Sequence, residues 1–150
     1  MRVLLGSDHG GLNLKAEIKE LLTEMSIQFE DVGCDCKESV DYPDYALPVA
    51  QKVVSGEFDR GILICGTGLG MSIAANKVKG IRCAVVSDEF SARMSREHNN
   101  ANILALGERV IGPDLAKSIV HTWLKAEFQG SRHTRRIHKI TKIESGEPID

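Results

Sequence analysis

Short, almost wholly apolar runs alternate along this chain with segments whose apolar residues recur at helical spacing, and this alternation is its strongest constraint on fold. The first run, Val3-Leu4-Leu5-Gly6, stops at Gly6 and Ser7 as a buried strand stops at a loop. Over residues 12 to 25, Leu14, Ile18, Leu21, Leu22 and Met25 share one face, with Lys15, Glu17, Lys19, Glu20 and Glu24 between them. A strand over Ile27 to Val32 follows, then a polar loop through Cys34, Cys36 and Asp41 to Pro43, then a helix from Tyr45 to Val54 that Gly56 ends. The pattern continues with Gly61 to Cys65 as strand, Leu69 to Lys77 as helix, Ile81 to Val86 as strand and Glu89 to His98 as helix. Asn102 to Leu106 reads as a fifth strand, and Pro113, at a favoured first-turn position, opens a long helix toward Phe128.

Strands that are apolar throughout must be covered on both faces, which parallel sheets with crossover helices achieve. The expectation is a single Rossmann-like, doubly wound α/β domain over residues 1–150, with about five parallel strands and a basic segment at 131–150. In such sheets ligands collect beyond the carboxyl ends of the strands. The loops leading from strands into helices are therefore the places to look for chemistry.

Composition narrows the function classes. The chain has 150 residues, 42% hydrophobic and 27% charged, with 19 Lys and Arg against 21 Asp and Glu, a net charge of −2. That balance disfavours a dedicated nucleic-acid binder and a disordered chain. No run approaches the ~20 apolar residues of a membrane span, and Met1-Arg2 leads directly into the first apolar run without the pattern of a secretion signal. Four cysteines (Cys34, Cys36, Cys65, Cys83) in a chain that needs no disulfide staples suit a reducing cytoplasm. Residues 132 to 142 carry +5 with no acidic residue, so the rest of the chain carries −7.

The most informative loop is Cys65-Gly66-Thr67-Gly68-Leu69-Gly70, directly between a strand and a helix. Its glycines let the backbone turn and present N–H groups, and the following helix adds a positive end, so the loop is suited to an anion and to a thiolate at Cys65. The plainer alternative is a buried cysteine before a tight turn. A thiol phosphatase needs an arginine six residues after the cysteine, where this chain has Met71. A dinucleotide fingerprint would fall in Gly6-Ser7-Asp8-His9-Gly10-Gly11, where Asp8 would repel a pyrophosphate, although Asp31 stands at about the right distance for a ribose contact and keeps a nucleotide-dependent enzyme as an alternative.

Asp8-His9 instead suits a polar substrate, and His98-Asn99 at a helix end offers a second imidazole, or simply a surface histidine favoured by the helix dipole. If 132 to 142 is helical, Arg132 and Arg136 lie one turn apart and can clamp one phosphate; a solvated face is the alternative. Cys34-x-Cys36 is half of a zinc pattern with no second half and reads as two loop thiols. Cys83 reads as a core residue.

Taken together, these motifs resemble the type B ribose-5-phosphate isomerases, the family that also holds the galactose-6-phosphate isomerase subunits. The resemblance spans nearly the whole chain: Gly6 to Gly11, Asp41-Tyr42-Pro43, Gly61 through Lys77, Arg96-Glu97-His98-Asn99, Asn102, Gly107-Glu108-Arg109-Val110 and Arg132-His133. It implies a cofactor-free and metal-free aldose–ketose isomerase acting through an enediolate. Cys65 would move the proton between C2 and C1, with Thr67 in the catalytic set. The N–H groups of Gly66, Thr67, Gly68, Leu69 and Gly70 would hold the enediolate oxygen. His98 would open the furanose ring with help from Asp8. Asp8, His9, Tyr42 and Asn99 would hold the sugar, and Arg109, Arg132, His133 and Arg136 the phosphate end. Some members use a glutamate just after the glycine loop, where this chain has Met71, so the thiol version fits. The family implies a homodimer, possibly a tetramer, with active sites lined by both subunits. Six-carbon sugar phosphates (allose 6-phosphate, galactose 6-phosphate) and a non-catalytic phosphosugar sensor are the alternative functions; neither nucleic acid nor membrane is an expected partner.

Overall fold

In the computed structural model, which describes residues 1–149, the apolar runs form strands β1 (Arg2–Ser7), β2 (Gln28–Asp31), β3 (Arg60–Cys65), β4 (Cys83–Val85) and β5 (Ile103–Gly107). Helices α1 (Leu12–Glu24), α2 (Pro43–Val54), α3 (Leu69–Ala75), α4 (Glu89–Glu97) and α5 (Pro113–Lys125) alternate with them, and α6 (Arg132–Glu144) follows; a 3-10 turn at His9–Gly11 precedes α1. All strand pairs are parallel, in the order β2-β1-β3-β5-β4. The register sets Leu5 opposite Ile62 and Ile62 opposite Leu104.

The three central strands are buried on both faces, which is why they read as continuous apolar runs. One core layer gathers Val3, Leu5, Ile62, Ile64, Leu104 and Leu106 beneath α1, α4 and α5, with Trp123 fully enclosed. The other gathers Leu4, Leu63, Ile103 and Ala105 beneath α2 and α3. Each large apolar side chain buried in these layers contributes roughly 1.5–3 kcal/mol relative to exposure.

Element ends depart from the sequence expectation where local chemistry decides. α2 starts at Pro43 rather than Tyr45, because proline suits the first helical turn. α3 stops at Ala75 rather than Lys77, and β4 is confined to Cys83–Val85 within 81–86, an edge strand paired on one side. α5 ends at Lys125, short of Phe128, where Ala126 becomes extended. Asp88 caps α4 by accepting the Ser91 N–H at 2.7 Å. The α1 N-terminus borrows its cap from a distant loop: the Glu108 carboxylate accepts the Leu14 N–H at 2.9 Å and the Asn13 amide at 2.8 Å.

This topology places the chemistry. From β1 the chain crosses outward to β2, whereas from β3 it crosses to the opposite side, so the direction switches between two adjacent strands. The loops after β1 and β3 diverge there and leave a crevice at the carboxyl edge.

Candidate active site

The loop after β1 is pressed onto the end of β3. Asp8, only 7% exposed, donates its N–H to the Ile64 carbonyl at 3.3 Å, and its Oδ1 accepts the Gly10 N–H at 2.8 Å. A Cβ on Gly11 would stand 2.6 Å from the Ile64 oxygen, so only glycine permits this approach. Ile64 immediately precedes Cys65, and the carboxylate turn and the thiol are thus fixed to each other through backbone.

At the end of β3 the chain turns through Gly68, at φ +78°, and the Gly68 N–H donates to Cys65 Sγ at 3.0 Å. α3 has only seven residues, so the loop's own N–H groups, more than a long helix dipole, supply its positive character. Gly107 and Arg109 come from the end of β5. The Arg109 N–H donates to the Gly66 carbonyl at 3.0 Å, and its guanidinium lies beside Gly66. The Tyr42 ring covers Gly70, where an added Cβ would come within 2.8 Å of it.

Asp8, His9, Tyr42, Cys65, Thr67 and Arg109 therefore line one cavity of about 230 Å³. A buried carboxylate, a thiol among N–H donors and a guanidinium converge there, a set able to hold a polar anion and move a proton. The cavity is smaller than the roughly 300–1,000 Å³ of a complete small-ligand site. Leu69 is 55% exposed outside it.

His98, Asn99, Arg132, His133 and Arg136 do not join this group. His98 caps the far end of α4, which leads back to the start of β5, and so lies at the amino edge of the sheet. Its ring stacks on His133 with centroids 4.1 Å apart and planes 9° from parallel. The segment before α6 is tied there by the Gln129 N–H donating to the Glu97 carbonyl at 3.0 Å. The residues 132 to 142 are helical, and Arg132 and Arg136 both act on His133. Burial first, then His98, Arg132 and Arg136, lower the His133 imidazole below its ordinary value. The two clusters are separated by the height of the sheet, roughly 13–16 Å along β5 alone.

The sequence gives little sign of two supporting groups. Lys15, predicted on the polar side of α1, is buried and pairs with Asp31 at 3.1 Å while donating to the Cys34 carbonyl at 2.8 Å. Glu108 caps α1, and in sequence only its position beside Arg109 in Gly107-Glu108-Arg109-Val110 marks it. Cys34 and Cys36 both lie in the loop after β2, as expected of loop thiols, Cys34 buried and Cys36 partly exposed. Cys83 is partly buried, and burial pushes its thiol up to about 12, which leaves it inert. A larger cavity, about 470 Å³, lies between β4 and α6, but its walls are mainly apolar and Arg82 there is engaged by the Asn99 and Asn100 carbonyls. Among the described residues no helix is long and apolar enough to cross a membrane.

A doubly wound sheet with reactive groups converging at its switch point defines an α/β enzyme acting on a small molecule. The chain matches the family described as Ribose/Galactose Isomerase over residues 3–140. It is 51% identical to ribose-5-phosphate isomerase B of Escherichia coli, over 95% of this chain and 96% of that protein. It is 43% identical to a D-erythrulose-4-phosphate isomerase of Pectobacterium atrosepticum, over 98% and 97% of the two chains. The solved structure of Clostridium thermocellum ribose-5-phosphate isomerase B superposes with a TM-score of 0.96 at 63% identity, covering 97% of this chain and 99% of that one. The protein belongs to the ribose/galactose isomerase family, and is an aldose–ketose isomerase.

Proposed function

We propose that the protein interconverts ribose 5-phosphate and ribulose 5-phosphate through an enediolate, with Cys65 as the base that carries the proton between C2 and C1. The observation that carries this reading is the Gly68 N–H on Cys65 Sγ, within a loop whose Gly66, Thr67 and Gly70 line the same cavity as Asp8 and Arg109. Those donors are fixed before the substrate arrives, so negative charge developing on the enediolate oxygen meets dipoles that need no reorganisation. Thr67 stands at the mouth of the cavity; Asp8, His9 and Tyr42 would hold sugar hydroxyls.

The ring-opening imidazole and the phosphate clamp come, in this reading, from a second copy of the chain. His98, Asn99, Arg132, His133 and Arg136 cannot reach Cys65 across their own sheet, and the cavity is too small to be complete. Next to it a groove of about 410 Å³ is walled by Thr67, Leu69, Val85 and Val110. Phe90, Val110 and Leu69 are 65%, 56% and 55% exposed at this edge, an apolar surface suited to burial in a homodimer. The partner's arginines would then hold the phosphate at the non-reacting end, and that binding keeps the reacting carbons aligned.

The test is ketose formation by EDTA-treated protein from four-, five- and six-carbon aldose phosphates offered separately, since one relative is named for a four-carbon ketose phosphate. Turnover of ribose 5-phosphate that Cys65→Ala abolishes while the protein still binds substrate is the expected result. Full activity in Cys65→Ala removes Cys65 from the base role. A strong preference for a four- or six-carbon substrate transfers the same mechanism to that sugar.

A further inference from the structure

Two thiols with no part in the proposed reaction meet behind the crevice. Cys34 Sγ and Cys36 Sγ are 2.8 Å apart, close enough for one to donate to the other. The Cys36 N–H also donates to Cys34 Sγ at 3.1 Å, so the backbone already folds around Asp35 to set the sulfurs face to face. A disulfide needs about 2.05 Å between sulfurs, and the residual gap is less than an ångström. Cys34 is 3% exposed, Cys36 is partly exposed, and Asp35 at the apex of the turn has a side chain 94% exposed. The pair is therefore anchored on one side and open to small solutes on the other.

The electrostatics divide the labour between them. Hydrogen bonding from Cys36 and Tyr45, with the Lys15 ammonium nearby, lowers the Cys34 thiol, while Cys36 is pushed up to about 11 chiefly by its bond with Cys34. One member is disposed to be thiolate and the other to remain thiol.

We propose that Cys34 and Cys36 are a reversible dithiol–disulfide modification site for two-electron oxidants of the peroxide class, placed to alter the neighbouring crevice. In the first step a thiolate attacks one peroxide oxygen, the O–O bond breaks, and a sulfenic acid and hydroxide form. In the second, the other thiol's sulfur displaces hydroxide from the sulfenic sulfur. Two S–H bonds are lost and one S–S bond forms; the peroxide takes the two electrons and, with the two thiol protons, becomes two waters. A thiol reductant reverses it by exchange.

The link to the crevice runs through the loop that carries both residues. Its start is fixed: the Cys34 N–H donates to the Ser7 carbonyl at 2.8 Å, and the Cys34 carbonyl accepts from Lys15. Its end rests on the crevice, where the Val40 N–H donates to His9 Nδ1 at 3.2 Å. With Cys34 held, closure moves Cys36 and the residues after it, and the bond to His9 bears the displacement.

The experiment exposes purified protein to a short pulse of hydrogen peroxide, blocks free thiols, and maps peptides by mass spectrometry. The tryptic peptide over residues 20–37 contains Cys34 and Cys36 and no other cysteine. It is expected to lose two hydrogens and to resist blocking until a reductant is added, and Cys36→Ser is expected to abolish that state. This readout does not depend on the proposed isomerase reaction. In parallel, kcat/KM for ribose 5-phosphate is expected to fall roughly fivefold on oxidation, about one hydrogen bond's worth, and to recover on reduction. A peptide 20–37 whose thiols stay free while Cys65 is already oxidised overturns the modification site. A loss of activity equal in wild type and Cys36→Ser assigns the effect to Cys65 and overturns the link to the crevice.

Discussion

The imidazole of His133, 4% exposed, lies parallel to that of His98 at 4.1 Å, so two titratable rings share one small volume beside Arg132 and Arg136. Protonating His133 there is opposed by burial and by the neighbouring His98, Arg132 and Arg136. The unfolded chain, with an ordinary histidine near 6.5, takes up a proton first as the pH falls. Stability from this group is therefore full above that value and declines below it, down to the lowered value of the folded state. Wild-type protein is expected to lose more Tm than His133→Phe between about pH 7.5 and 5.5, since phenylalanine keeps the stack without titrating. Parallel Tm curves for the two proteins would contradict the assignment.

Two glycines separate close approach from open space. Gly11→Ala drives a Cβ into the Ile64 backbone at 2.6 Å, whereas around Gly112 nothing lies within 4 Å and φ is −75°. The first substitution is expected to cost about 2–3 kcal/mol, because the obstacle is backbone that cannot rotate away. It should also lower kcat by displacing Cys65. Gly112→Ala should stay within about 1 kcal/mol, its main cost being the poorer helix cap. Urea denaturation with matched kinetics measures both; equal stabilities would refute the close-approach argument.

The fold was legible because the central strands are covered on both faces, so Val3-Leu4-Leu5 and Ile62-Leu63-Ile64 read as short buried strands between amphipathic helices. The Cys65 loop was legible for a similar reason, since glycine spacing after a strand marks a backbone turn. Other relations lay beyond local pattern. Lys15 falls on the polar side of α1 by periodicity, and only β2 and the next loop turn that side inward. Glu108 caps a helix 94 residues away in sequence. That Cys65 and His98 sit at opposite edges follows from strand order, which a linear pattern does not encode.

Lys15 is expected to matter for stability more than its residue type suggests. Burial pushes the Asp31 carboxyl up, but the Gly33 N–H bond and the Lys19 and Lys15 ammoniums outweigh it and hold the group below its ordinary value. The stability this confers is present above about pH 4 and is lost as the pH falls through the folded-state value. Lys15→Met removes a buried partner of Asp31 and the donor to Cys34, and is expected to cost about 2–4 kcal/mol near neutral pH. Lys19, 3.1 Å from the same carboxylate oxygen, keeps the loss from being larger. A change below about 0.5 kcal/mol, within the range of an ordinary surface substitution, would show that Lys19 alone suffices.

The division of the candidate site between two edges of the sheet yields the most discriminating experiment. Cys65→Ala and His98→Asn should each be nearly inactive toward ribose 5-phosphate when assembled alone, because every site then lacks either its base or its ring-opening group. In a mixed dimer, the subunit carrying His98→Asn still contributes Cys65, and the Cys65→Ala subunit still contributes His98. If each crevice takes its imidazole from the partner, one of the two sites in a mixed dimer is intact and the other is doubly altered. Random assembly from equal amounts makes half the dimers mixed, so about one quarter of wild-type activity should return. Ribulose 5-phosphate has no furanose to open, so the His98→Asn parent should retain more activity in that direction, measured against the equilibrium constant. Were both groups to act within a single chain, mixing would restore nothing beyond the average of the two parents.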